Sequence, residues 1–511
     1  LVSGVVLSVG LFHAQAAVGQ TPATTPAAPY LESPTPYPNA APSGCTGCPA
    51  TPAEAHALVA QGQASGAATL GPPAAPVAAR RVGPKPNQPN PLPYDLILKG
   101  GHVIDVKNNI DRVMDVALKD GKVAAAAEGL KPEDAAKTID VHGLYVVPGL
   151  IDLHMHMYAS TGEGGGSYAG DDSIWPDGFT LRNGVTTAVD AGSSGWRNFE
   201  DFKDHVIDRS ITRVLAMLNI VGAGMRGALY EDNLADMNAE PTAWMAKRYP
   251  GVIVGIKSAH FTGPEWQPYI EAVKAGTLAD IPVMIDYGAN RIERPMYELM
   301  AKYLRPGDIY THAYSGLRGE QNPHTLKPSA GLIEGRKRGI FFDAGTGGGS
   351  FQFRVAYPLI QDGFKPDSLS TDLHIGSMNS STKDMMNVMS KFMAMGLTLH
   401  EVVADATWHP AQEIKQYQLG NLSVGAPGDV AVLSLEHGQF GYTDMDYVKM
   451  MSDSRLVCQL TLRDGRIVYD LNGISMDLWN GKQTSDPALA AHWTTFVPRP
   501  ALPEQLTPTQ K

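Results

Sequence analysis

Two histidines one residue apart, His154 and His156 in GLIDLHMHMYAS, close an apolar run. On a β-strand the side chains at i and i+2 point the same way, so these imidazoles converge while Leu153, Met155 and Met157 face the other side. Paired imidazoles suit a borderline divalent metal such as Zn²⁺. Lys257 ends a second apolar run, GVIVGIK, and its alternation with Ile253 and Gly255 aims the ammonium inward. Burying that charge is costly. Either a carboxylate or a snorkelling path to the rim satisfies it, or the neutral amine adds CO₂ and the carbamate bridges two metal ions. Asp286 in IPVMIDYG, His312 in IYTHAYSG and Asp372 in SLSTDLH end three more runs. An aspartate alone at such a place reads equally well as a helix cap or turn former. Together with the histidine pair the three make a mixed nitrogen and oxygen donor set.

The elements that must position these groups are βα units. Between residues 148 and 410, β-branched apolar runs ending near His156, Asp190, Asn219, Lys257, Asp286, His312, Asp343 and Asp372 alternate with helix-like stretches. Eight such units predict an α/β fold, a (β/α)₈ TIM barrel whose site lies at the C-terminal strand ends. On either side the texture is different. Residues 94–147 and 411–472 carry short β runs with Lys119-Asp120-Gly121-Lys122 and Arg463-Asp464-Gly465-Arg466 at their turns, the Asp-Gly grammar of hairpins. They predict one small β-sandwich domain assembled from both sides of the barrel.

Residues 1–16 form a short apolar run ending in Ala14-Gln15-Ala16, a small-residue pattern of the kind signal peptidase cuts after. The prediction is export, to the periplasm or outside the cell, with no membrane span in the mature form. Residues 17–93 hold nearly half of the 38 prolines and read as a Pro/Ala-rich linker. Cys45 and Cys48 within it lack a second pair for a zinc ribbon, and lack the βαβ setting of a redox motif. Residues 473–511 read as a C-terminal tail. A net charge of −11, from 41 basic against 52 acidic residues, gives no footprint for nucleic acid. The glycines at 345 and 347–349 lack the Lys-Ser/Thr ending of a phosphate loop and read as a tight turn. The methionines of KDMMNVMSKFMAMG read as the buried side of a helix.

His154-Met155-His156, Lys257, His312 and Asp372, in that order, preceded by VVPGLIDLH and flanked by split β segments, resemble the amidohydrolase superfamily. STDLH, KDMMNVMSKF and GDVAVL are similar to its dihydroorotase-like and deacetylase-like branch. The resemblance covers about residues 94–470. It implies two divalent metal ions, zinc or manganese, with His154, His156 and Asp372 on the first, His312 and the fifth-strand residue on the second, and a carboxylated Lys257 joining them. It also implies hydrolysis of a C–N bond in an amide, cyclic imide or N-acyl amino acid, with Asp372 as the catalytic proton carrier, a small-molecule substrate, and the homo-oligomeric assembly common in the family.

The chain departs from this pattern where the family carries a fifth-strand histidine and this sequence has Asp286. Either Asp286 is itself the ligand, or His260 swings in and Asp286 supports it. Thr346 also stands where relatives often carry histidine. Substrate contacts are expected in the βα loops, from His260, Tyr287, Arg291 and His374, with Tyr158, Arg226 and the glycines 164–166 as further candidates. Two other readings stay open: a mononuclear deaminase or C–N lyase in which Lys257 stays a plain amine, and a binding protein that has lost catalysis.

Overall fold

The computed structural model describes residues 90–159 and 161–479. The predicted signal peptide, Cys45 and Cys48, most of the predicted linker and nearly all of the tail lie outside the described residues. Among the described residues, no helix is long and apolar enough to cross a membrane.

Fifteen strands among the described residues fall into two sheets. The first joins β1 (Tyr94–Asp105), β2 (Ile110–Lys119), β3 (Lys122–Ala127), β4 (Ala135–Asp140) and β5 (Tyr145–Pro148) to three strands from far downstream. These are β13 (Val430–Thr443), β14 (Lys449–Arg463) and β15 (Arg466–Asp470). The order is β15-β14-β13-β5-β1-β2-β3, with β4 beside β1, and the antiparallel β13–β5 pairing, Val430 opposite Pro148, stitches the two sequence regions together. Both Asp-Gly turns are made as predicted. Asp120 and Gly121 have φ of 51° and 78°, Asp464 and Gly465 of 48° and 70°, the left-handed pair that a two-residue hairpin demands. The turns also touch one another's neighbour: Gly428 N–H donates to Gly121 O and Gly465 N–H to Gly428 O, both at 2.8 Å.

The second sheet is parallel and curled, and holds seven strands in sequence order: β6 (Leu150–Met155), β7 (Val185–Gly195), β8 (Arg213–Asn219), β9 (Ile253–Ser258), β10 (Val283–Ile285), β11 (Ile309–Tyr310) and β12 (Phe341–Phe342). Helices Ala239–Arg248, Gln267–Ala279, Ala330–Arg338 and Phe353–Gln361 fall between or after them. The eighth predicted run, Ser368–Leu373, is not a regular strand. It touches the sheet through isolated parallel bridges, Ser368 to Asp343 and Leu373 to Met155, the two outer strands of the sheet being β12 and β6. Its Ser and Thr side chains bond to buried carboxylates, and Asp372 turns to φ 48°, so the local backbone follows side-chain partners rather than a ladder.

The sheet's register slips between Asp152 and Met155. That slip corrects one expectation about facing. Leu153 packs with Ile151, Val189, Met217 and Met284, whereas Met155 and Met157 join the larger cluster. The methionine-rich helix, Met385–Ala394, buries Met385, Met386 and Met389 as core.

Candidate metal centre

His154 and His156 leave the end of β6 almost fully buried, and Asp372 closes on them from the bridging segment. Asp372 Oδ1 lies 3.1 Å from His156 Nε2 and 3.5 Å from His154 Nε2. One donor atom from each residue falls within 4.8 Å of the others, the one group of this kind among the described residues. Two imidazoles and a carboxylate are the three-ligand set that a catalytic zinc takes, leaving a position open. The protonation states suit it. Burial pushes His156 down to about 4 even though Asp372 pulls the other way, and burial with the nearby Lys257 holds His154 well below its ordinary value. Both rings are therefore neutral near pH 7. Burial raises the Asp372 carboxyl, but His154, His156 and His312 together carry it below the ordinary range.

Lys257, fully buried on β9, places Nζ 3.1 Å from His154 Nε2. Desolvation lowers its pKa, opposed by the charges of Asp286, Asp372 and Asp343. Its position at the foot of the cluster is the one the strand alternation predicts.

On the other side lies Asp286, one residue past β10. Oδ2 faces His260 Nε2 at 3.2 Å and His312 Nε2 at 3.5 Å. Oδ1 accepts from Arg318 Nη2 at 2.9 Å and from Gly288 N at 3.1 Å. Burial would raise this carboxyl, yet Arg318, His312 and His260 hold it well below its usual value. His260 in turn donates to Glu231 Oε2 at 2.8 Å, and despite burial that contact and Asp286 lift it to about 9. Both alternatives raised for the fifth strand thus meet: Asp286 and His260 are together, beside His312.

Three of these residues carry strain. His260, His312 and Asp372 have φ of 55°, 61° and 48°, a region that costs a non-glycine residue about 1–3 kcal/mol. The glycine run is explained by proximity. A Cβ on Gly347 would stand 2.1 Å from Asp372 Oδ2, so the turn at 345–349 lets backbone lie against the carboxylate. Thr346 is buried beneath it, its hydroxyl 3.3 Å from Ser370 O.

The predicted substrate contacts separate. His374 is near the cluster, its ring centroid 6.2 Å from that of His156, and its Nδ1 pairs with Asp172 at 3.0 Å. Tyr287 is not at the cluster: it is fully buried, its hydroxyl donating to Arg294 O, with Tyr269 beside it. Arg291 is exposed and donates to Thr262 O at 2.7 Å. Tyr158 donates to Asp201 at 2.6 Å, and Arg226 Nε to Glu163 at 2.7 Å in the loop holding glycines 164–166. Sequence reasoning missed Arg318, Glu231 and Tyr168. The ring of Tyr168 lies 4.3 Å from His156, 5.0 Å from His374 and 5.9 Å from His260, spanning both sides of the site.

No protein-family model matches the chain. A deacetylase of Brucella anthropi is 32% identical over 345 residues, covering 65% of this chain and 82% of that protein. Two solved structures share the fold. One, described as an adenine deaminase, is 26% identical with a TM-score of 0.67 and covers 74% of this chain and 100% of that one. The other, a dihydroorotase, is 27% identical with a TM-score of 0.62 and covers 73% and 98%. The chain belongs to the amidohydrolase superfamily.

Proposed function

We propose that the chain is a metal-dependent hydrolase of a C–N bond in a small amide, cyclic imide or N-acyl amino acid, with His154, His156 and Asp372 holding the first metal ion. The convergence of those three donors carries the proposal. The names deacetylase and dihydroorotase among its relatives support the same chemistry. Zinc is the ion the donor set fits best, with manganese the alternative.

A divalent ion there supplies Lewis-acid polarisation of the scissile carbonyl and acidifies water. Asp372 takes the proton from the attacking water and delivers it to the leaving nitrogen, which a poor amine leaving group requires. His374 and Tyr168 line the approach and orient the substrate. In the full proposal His312 and Asp286 would hold a second ion, and a carboxylated Lys257 would supply a shared anionic ligand between the two ions. We take the parallel sheet and the segment Ser368–Leu373 to form one closed (β/α)₈ barrel, since that segment bridges strands β12 and β6. Residues 94–147 and 411–472 form the accompanying β-sandwich domain. Export, resting on residues 1–16, and a homo-oligomeric state complete the reading, and are checked by cell fractionation and light scattering.

Arg318 favours a one-ion version, with Lys257 a plain amine as in a mononuclear deaminase. A guanidinium 2.9 Å from Asp286 already neutralises the carboxylate that a second ion would share. A metal count on the purified protein, with intact mass for an added carboxyl on Lys257, separates the versions. Hydrolysis of an N-acyl amino acid, cyclic imide and amide panel that is lost on chelation and restored by zinc is the expected result. Turnover unaffected by complete metal removal would sink the proposal.

A further inference from the structure

Two strand-end carboxylates, Asp190 and Asp343, take no part in the chemistry above, and both are fully buried. Asp343 stands behind His154 with a hydroxyl between. Thr311 Oγ1 donates to Asp343 Oδ2 at 2.7 Å and lies 3.0 Å from His154 Nδ1. Behind His156, Ser193 Oγ lies 3.0 Å from Nδ1, while Asp190 Oδ1 takes the Ser193 backbone N–H at 2.8 Å. A hydroxyl owns one hydrogen. Once it is given to a carboxylate, the oxygen can only accept, and the ring nitrogen facing it must carry the hydrogen.

We propose that Asp343, acting through Thr311, is a positioning relay that locks the His154 imidazole as its Nδ1–H tautomer, so that Nε2 meets the metal site as a bare lone pair. This rests on the reading of His154 as a metal ligand. The direction of the relay is fixed by its surroundings. Asp343 is ringed by hydroxyls, with Ser370 Oγ at 2.7 Å from Oδ2 and Ser368 Oγ at 3.0 Å from Oδ1, so it is built to accept. On the opposite face of the rings, Asp372 lies near both Nε2 atoms. Outer partners of this kind govern ring orientation and ligand basicity at metal centres. Here a neutral hydroxyl is interposed, so the relay sets the tautomer without placing a carboxylate charge directly on the ring.

The experiment uses Thr311→Val, Thr311→Ser and Thr311→Ala in the full chain. Zinc affinity is measured by chelator competition, and the histidine tautomers of the metal-free protein by NMR with isotope-labelled histidine. Thr311→Val is expected to weaken zinc binding on the order of 10- to 100-fold and to release His154 from the Nδ1–H form, with Thr311→Ser restoring both. Thr311→Ala does the same as the valine variant at His154, and stands as the test on its own if that variant does not fold. Unchanged affinity and tautomers, or a lowered melting temperature with tautomers unmoved, overturn the relay. Wild-type protein that binds no zinc overturns the ligand reading instead, and the metal-free tautomers still decide the relay.

Discussion

The two sides of the site solve the same electrostatic problem in opposite ways. On the His154, His156 and Asp372 side, neutral rings and a carboxylate converge with only Lys257 Nζ nearby as a cation. On the Asp286 side, the carboxylate is surrounded by Arg318, a His260 lifted to about 9, and His312, and Glu231 backs His260 in turn. In the proposed function the first side is completed by an external cation. The second carries its own. A buried carboxylate without a counter-charge is expensive, and Arg318 supplies that charge to Asp286. The lesson is that a buried carboxylate is set by the whole group of charges around it.

The comparison breaks most visibly at Asp372. Asp372→Asn is expected to keep the fold and lose about 10³-fold in turnover, the scale of a general acid and base step; an active variant, measured by steady-state hydrolysis with metal content matched, would remove the proton-carrying role. Arg318→Met tests the self-neutralised side. Metal-free, it should lose about 3 kcal/mol of stability because Asp286 is left unpaired, with denaturant unfolding as the readout. Excess zinc should recover much of the loss in this variant. If it does not, Asp286 has no affinity for a second cation. Lys257→Ala addresses the link between the sides. It should lose at least one bound ion and about 100-fold of turnover, comparable to the upper cost of losing a metal's outer partner, with short carboxylates restoring part of the rate. Full metal content in that variant would exclude a bridge.

The first side was legible because strand alternation and strand ends are sequence signals. His154 and His156 two apart, Lys257 at the close of an apolar run and His312 after another all come together as their positions imply. The second side was half legible. Asp286 and His260 were both singled out, and one of two open readings had Asp286 support His260, but their meeting depends on a left-handed turn at His260 that the sequence does not announce. Arg318, six residues past His312 in a loop, has no periodic signature; a lone arginine in the loop after a ligand-bearing strand was its only signal. Thr311 and Ser193 were invisible because hydroxyls carry no distinctive pattern. The eighth run was predicted as a strand from its apolar positions, and its Ser and Thr side chains found carboxylates instead.

Tyr287 and Arg291 mark where the alternation argument was not carried far enough. Asp286 faces the site, so Tyr287, its immediate neighbour, faces the other way and packs around Arg294 with Tyr269. Arg291 is outside on the loop, committed to Thr262 O. Arg291→Ala should therefore change kcat/KM by no more than about twofold, the factor that corresponds to the ±0.5 kcal/mol typical of surface positions. His374→Ala should raise KM by more than that, since this ring stands between Tyr168 and Asp172 beside His156. Kinetics on one cleaved substrate compare the two directly. A larger loss at Arg291 than at His374 would mean the loop after β10 folds over the substrate, and would move the specificity of the enzyme from its histidine-lined side to the arginine-rich one.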